Sequence, residues 1–213
     1  MELYQTTLNN NQTELDNYKT KLDNFKTEFK KSYYKSCGEY IVILKKCMNT
    51  KCNEDRLNVY NIDNAAYRAN KMLVYDIIHK LDNTLHINKI YNTIFPNKIL
   101  YEKHKIIECH DYNENSNMIY TTGIHYYKNF KRALFEEGDI LTKLKYTGDY
   151  IEYDIYGQKI QEGNYINGNK IGEWIIYQPL NIINETEISF YQSLQLTYYQ
   201  FFGNNNYITT IYN

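Results

Sequence analysis

Proline and arginine are scarce in this 213-residue chain, with two prolines and three arginines, Arg56, Arg68 and Arg132, and net charge is nearly absent, 24 basic side chains facing 25 acidic ones. Few prolines alongside 16% aromatics exclude a low-complexity, disordered chain. So few arginines remove the usual bidentate readers of bases and phosphates, and a formal charge of −1 supplies no field to gather a polyanion. Binding to a specific nucleic acid is therefore not expected. No apolar run approaches the roughly 20 residues that span a bilayer, so no transmembrane segment is expected. Met1-Glu2-Leu3-Tyr4 opens with neither a basic n-region nor an apolar h-region, which argues against a signal peptide. Also missing are Gly-x-Gly-x-x-Gly, Gly-x-x-x-x-Gly-Lys-Ser/Thr and His-Glu-x-x-His, which sets nucleotide and zincin chemistry aside.

What is present is Asn, Ile, Tyr and Lys, together 100 of the 213 residues and all drawn from A/T-rich codons. This usage resembles that of proteins of large DNA viruses with A/T-rich genomes, a likeness of source and not of mechanism. With no export signal, the expected location is intracellular, in the cytoplasm or in a viral particle or factory.

The hydrophobic period changes along the chain, from helical spacing before about Ile87 to alternation punctuated by glycine after about Lys98. We therefore expect an α+β protein with a boundary at Pro96-Asn97: residues 1–95 a long antiparallel α-hairpin, residues 98–213 an antiparallel β-meander. In the first half, Leu15-Asp16-Asn17-Tyr18-Lys19-Thr20-Lys21 is nearly repeated by Leu22-Asp23-Asn24-Phe25-Lys26-Thr27-Glu28. Leu8, Leu15, Leu22 and Phe29 then share one heptad position and mark a seam for packing on a neighbouring helix or for self-association. Lys19, Lys21, Lys26, Lys30, Lys31 and Lys35 interleave with Glu14, Asp16, Asp23 and Glu28, as on a solvated helix face. Asn53, ahead of Glu54-Asp55, reads as the N-cap of a second helix. Its core stripe would be Leu57, Tyr60, Ala66, Leu73, Ile77, Leu81 and Leu85, thickened by Ile62, Val74 and Ile78.

In the second half, strands are expected at 98–101, 106–108, 118–127, 140–145, 150–156, 159–166, 173–177, 187–196 and 207–212, with a polar loop at 111–117. Asn167-Gly168 tolerates two positive φ angles and should pair Asn164-Tyr165-Ile166 back on Lys170-Ile171. Gly148-Asp149-Tyr150-Ile151-Glu152-Tyr153 recurs 24 residues later as Gly172-Glu173-Trp174-Ile175-Ile176-Tyr177. Gly123-Ile124-His125-Tyr126 reads as a worn third copy.

The stretch from Glu162 to Tyr177 resembles the MORN-variant repeat, including the YwqK-type antitoxin group. Gly163, Tyr165, Asn167, Gly168, Lys170, Gly172, Glu173, Trp174 and Tyr177 match its pattern, with Asn169 inserted before the lysine. The likeness is best over 138–178. It implies a row of β-hairpins forming a platform, and scaffolding or protein–protein contact with no reaction of its own. Tyr150, Tyr153, Tyr165, Trp174 and Tyr177 are then the expected partner-binding rings.

The remaining constellations are weaker. Cys47 and Cys52 could bridge the turn between the two expected helices in an oxidising setting. Cys109-His110, adjacent in sequence, would point to opposite faces of a strand, which disfavours a shared zinc. No metal and no cofactor are expected. Glu136-Glu137-Asp139 and Glu152/Asp154 read as turn acids and a solvated strand face. We expect a non-enzymatic protein–protein interaction or scaffolding protein with a protein partner. A second reading is a virion or assembly component, a homo-oligomer joined through its N-terminal helix. A third is a small hydrolase or nuclease around His104, Cys109 and His125.

Overall fold

The computed structural model describes residues 31–93 and 98–177, and the backbone of a strand at Ile208–Tyr212. Tyr33 to Leu44 is rich in aromatic and β-branched residues on either side of Gly38-Glu39, and it folds as a hairpin of β1 (Tyr33–Cys37) and β2 (Tyr40–Lys45). Gly38 takes φ 58° at the turn, which only glycine adopts freely. There follow β3 (Ala66–Ala69), β4 (Lys71–His79), β5 (Lys89–Tyr91), β6 (Leu100–Glu102), β7 (Ile106–Glu108) and β8 (Ile124–Tyr127). Two short helices, α1 (Phe130–Leu134) and α2 (Gly138–Lys143), lead into β9 (Gly148–Tyr153), β10 (Lys159–Ile166), β11 (Asn169–Tyr177) and β12 (Ile208–Tyr212).

The main sheet is antiparallel in the order β3-β8-β1-β2-β4-β7. Asn70 alone separates β3 from β4 in the chain, yet three strands lie between them in the sheet. The sheet must therefore curl until those two ends meet. Its concave face encloses Val42, Leu44, Tyr67, Met72, Val74, Ile77, Ile124 and Tyr126, with Tyr101 of the β5-β6 hairpin also buried in this core. Its convex face presents Tyr34, Ile41, Ile43, Ile78 and Tyr127 to α1 and to the second sheet, ordered β12-β11-β10-β9, in which β12 runs parallel to β11.

The expected α-hairpin is not there. Of its first helix, residues 8–30 lie outside the described residues, and with them Leu8, Leu15, Leu22 and Phe29; Tyr33–Lys45 is the β1-β2 hairpin. The expected second helix, from Asn53 onward, is loop, β3 and β4 instead. Apolar residues at 73, 74, 77 and 78 fit a helical stripe, but they also belong to the segment Met72–Ile78, apolar but for Asp76, and a strand buried on both faces produces the same pattern. Leu57, Tyr60, Ile62 and Leu85 are exposed, so the stripe they completed faces no core. Asn53 is fully buried and caps no helix. Strands of the main sheet come from both sides of Pro96-Asn97. In the second half, the expected strand 140–145 is instead the end of α2 and the turn that follows it, and within 118–127 the strand is confined to Ile124–Tyr127; 187–196 lies outside the described residues.

The hairpin at Asn167-Gly168 forms as read: the two residues have φ 50° and 77°, and Tyr165 pairs with Lys170. The two glycine-led hexapeptides flank β10, so that Ile151 and Ile175 both lie opposite Glu162. Tyr150 and Trp174 consequently share the inner face, ring centroids 5.7 Å apart, over Gly163. A Cβ at Gly163 would fall 2.5 Å from the indole, and no rotamer of a ring packed between Tyr150 and Tyr165 relieves that. Gly163→Ala is expected to lower unfolding free energy by about 1–3 kcal/mol, the usual cost of overpacking, measured by urea denaturation with unchanged far-UV circular dichroism below the transition.

Candidate functional site

Two loops, residues 53–64 ahead of β3 and residues 109–123 ahead of β8, are held together from beneath by buried polar side chains. Arg68 in β3 is fully buried, and its guanidinium donates to four carbonyls of the second loop: Nε to Met118 at 2.8 Å, Nη1 to Asn113 at 3.0 Å and Thr122 at 2.7 Å, and Nη2 to Asn115 at 2.9 Å. Burial pulls the guanidinium below its ordinary range while Tyr112, whose ring it faces at 5.1 Å, acts in the opposite sense. Asn53 accepts from the Arg68 amide at 2.7 Å and donates to Ser116 O at 3.0 Å, so one side chain ties both loops to β3. Gly123, at φ 147°, lets the chain pass close to Arg68 Cβ.

The first loop has its own anchor in Arg56, turned inward at 4% exposure. Its Nη1 donates to Asn58 O and its Nη2 to Ile155 O at 2.6 Å. Asn117 joins the loops at the surface, accepting from Leu57 N through its side chain and from Asn58 Nδ2 through its carbonyl. With their backbones satisfied from within, the loops turn large apolar side chains outward: Leu57 (91% exposed), Tyr60 (59%), Ile62 (63%), Met118 (45%) and Tyr120 (42%). Asp55 and Asp63 are exposed beside them, and neither loop contains a lysine. Glu54 and Glu114 are neutralised by Lys46 and Lys128, and by Lys51, respectively. The surface that results is apolar with an acidic edge.

The rings expected to bind a partner divide between two environments. Tyr150, Tyr165 and Trp174 are buried, at 2%, 5% and 1% exposure, in one cluster with Phe135 and Tyr146. Their role is to pack the second sheet on the first. Tyr153 and Tyr177 are half-buried away from that cluster, Tyr177 donating to Glu162, which is ion-paired to Lys159 at 2.8 Å. The exposed loop residues were missed because a helical stripe claimed Leu57, Tyr60 and Ile62. The polar runs around them, Asn58, Asn61 and Asn64, were the available signal that this segment is loop.

The residues of the hydrolase reading do not form a reactive set. The half-buried His125 ring places Nε2 2.8 Å from Ile119 O. Desolvation, with repulsion from Lys35 and then Arg68, pulls its imidazole down to about 3. His104 is exposed on a left-handed turn, and Cys109 donates to Asp111 at 3.1 Å, burial and that carboxylate pushing the thiol up to about 11. An open groove of about 250 Å³ passes Cys109, His110, Lys71 and Glu108. Among the described residues no group of three His, Cys, Asp or Glu side chains is placed to hold a metal ion, the four cysteines are free, and no helix is long and apolar enough to cross a membrane.

The molecule is thus a β-rich protein built round one curled antiparallel sheet, with a loop surface held from below by buried cations. A family model described as a family of unknown function (DUF5758) matches residues 19–133, just over half of the 213 residues, and the chain belongs to that family. The match spans all six strands of the curled sheet and both loops, and ends before the repeated hairpins. No curated protein and no solved structure matches the chain.

Replacing Arg68 with Met removes donors from four enclosed carbonyls. The variant is expected to lose about 3 kcal/mol or more, and limited proteolysis should open first within 109–123. An imidazole that ionises at about 3 when folded and 6.5 otherwise leaves the unfolded chain the stronger proton acceptor between those values. Its contribution to stability is complete above about pH 6.5 and declines as the pH falls toward 3. Melting temperature should drop on acidification through this window, and His125→Gln should make the drop shallower.

Proposed function

We propose that the protein is a non-enzymatic interaction module whose 53–64 and 109–123 loops hold a protein segment carrying apolar and cationic side chains. The observation that carries this reading is Leu57, Tyr60, Ile62, Met118 and Tyr120 gathered at the surface of two loops whose backbones are fixed from inside. Exposed apolar groups set on a rigid base favour binding because little conformational entropy is lost when a partner covers them. Asp55 and Asp63 favour cations in that partner, since the loops offer no surface lysine to repel them. Arg56 lies beneath and weakens this preference without reversing it, because its guanidinium is spent on Asn58 and Ile155 carbonyls.

The same reading extends to the 138–178 hairpins, whose resemblance to MORN-variant repeats argues for a scaffold. Buried Tyr150, Tyr165 and Trp174 then serve as the packing of that scaffold and not as its contact surface. Free cysteines suit an intracellular setting. A non-catalytic role is supported by the engaged state of His125 and by a Cys109 thiol held protonated at neutral pH.

Selection of a random peptide display library on the purified chain is expected to enrich sequences that combine Leu, Ile or aromatic residues with Lys or Arg. Leu57→Lys should weaken the selected peptides about tenfold or more, the loss of a buried anchor, by fluorescence anisotropy. Enrichment of acidic peptides, or affinities untouched by Leu57→Lys, would remove the proposal.

A further inference from the structure

Hairpin tips ordinarily sit in solvent. The β9-β10 tip does not: Asp154, Ile155, Tyr156, Gly157 and Gln158 are all buried. Asp154 shapes the tip, its Oδ1 accepting from the amides of Tyr156 and Gln158 at 2.8 Å each. Two carbonyls of the tip bond beyond the hairpin, and both serve the segment that carries the 53–64 loop. Ile155 O accepts from Ala66 N at 3.0 Å and from Arg56 Nη2 at 2.6 Å; Tyr156 O accepts from Tyr60 N at 2.8 Å and from Asn61 N at 3.2 Å. The Arg56 guanidinium faces the ring of Tyr156 at 5.7 Å and that of Tyr67 at 5.4 Å. Gly157, at φ 82°, lies so close that a Cβ there would fall 2.4 Å from Asn61 O and 3.0 Å from Ala65 N. Asn61 also turns the loop back toward β3, its Oδ1 accepting from the amides of Asp63 and Asn64.

We infer, resting on the loop reading above, that the β9-β10 tip governs that surface: it fixes Leu57, Tyr60 and Ile62 in the arrangement a partner meets, and the repeated hairpins sense the partner in return. Leu57 follows Arg56, Tyr60 donates its own amide to the tip, and Ile62 follows Asn61. Each of the three exposed side chains therefore stands on, or one residue past, a residue that the tip holds. Residues 53–64 contain no strand or helix, so without the tip the enclosed amides would need other acceptors and the loop would regain its freedom. Ordering it would then fall to the partner, at a cost in affinity. The tip lies beyond residues 19–133, which the family model matches, so the hairpins supply to this surface what the matched part does not contain. Linkage makes the effect mutual. Whatever factor the seated tip adds to partner affinity, a bound partner adds to the seating of the tip.

The full chain and a peptide enriched in the display selection test this. Gly157→Ala drives a methyl group toward Asn61 O and should weaken peptide binding about tenfold by fluorescence anisotropy. Gly163→Ala, which strains the same sheet at the indole, should leave the affinity where it was. Hydrogen exchange of the unaltered chain gives the reciprocal reading, and decides the matter alone if Gly157→Ala does not fold. Saturating peptide should slow exchange of the Tyr156 and Gln158 amides more than that of Gly168, which donates to Tyr146 O at the β10-β11 tip. Equal losses in the two glycine variants, or equal slowing at both tips, mean a general change in stability and overturn the inference. Unchanged affinity in Gly157→Ala overturns it as well. In each of these cases, peptides still lost on Leu57→Lys keep the loop surface and remove only the role of the tip; peptides that ignore Leu57→Lys remove both.

Discussion

A single guanidinium organises the described surface. Arg68 sits within a strand, has no carboxylate partner among the described residues, and spends its donors on the carbonyls of Asn113, Asn115, Met118 and Thr122. Loop carbonyls enclosed without donors would be costly, and so would a buried cation without acceptors. Each defect cures the other, and the loop takes the one shape in which both are cured. Once that shape is set, Ile119 is the apolar side chain of the loop that enters the core, while Met118 and Tyr120 on either side of it are left at the surface.

The curl of the main sheet has an equally local origin. Joining β3 to β4 through Asn70 alone brings together strands that pair with different neighbours, and the sheet responds by closing on one core while exposing its other face for packing. The repeated hairpins then cover only part of that face. Their inner rings, Tyr150, Tyr165 and Trp174, interlock over Gly163 and pack this second sheet in one cluster with Phe130 and Leu134 of α1 and Phe135 at its end.

Parts of this were legible and parts were not. The β10-β11 hairpin was, because Asn-Gly with two positive φ angles is a local requirement that no distant contact needs to confirm. The strands expected at 98–101 and 106–108, found at Leu100–Glu102 and Ile106–Glu108, and the equivalence of the two glycine-led hexapeptides were also readable from local pattern. The stretch from Tyr33 to Leu85 misled, since apolar residues four apart in a largely apolar segment such as Met72–Ile78 satisfy a helical period and a doubly buried strand alike. Gly38 and the cluster of Asn58, Asn61 and Asn64 are local signals against a helix, whereas Leu57, Tyr60 and Ile62 complete a helical stripe while in fact lying at the surface.

Sequence by itself determined the turns, the repeat and the absence of a global field, because these depend on residue identity, near-neighbour sterics and summed charge. Tertiary structure alone decided which aromatics are core and which apolar residues meet water. The repeat lists Tyr150, Tyr153, Trp174 and Tyr177 on equal terms, and the side of the sheet on which the curled core lies is what separates them. Likewise Arg68 reads as an ordinary cation in sequence; its role appears only when folding carries residues 45 to 54 positions away into reach of its donors.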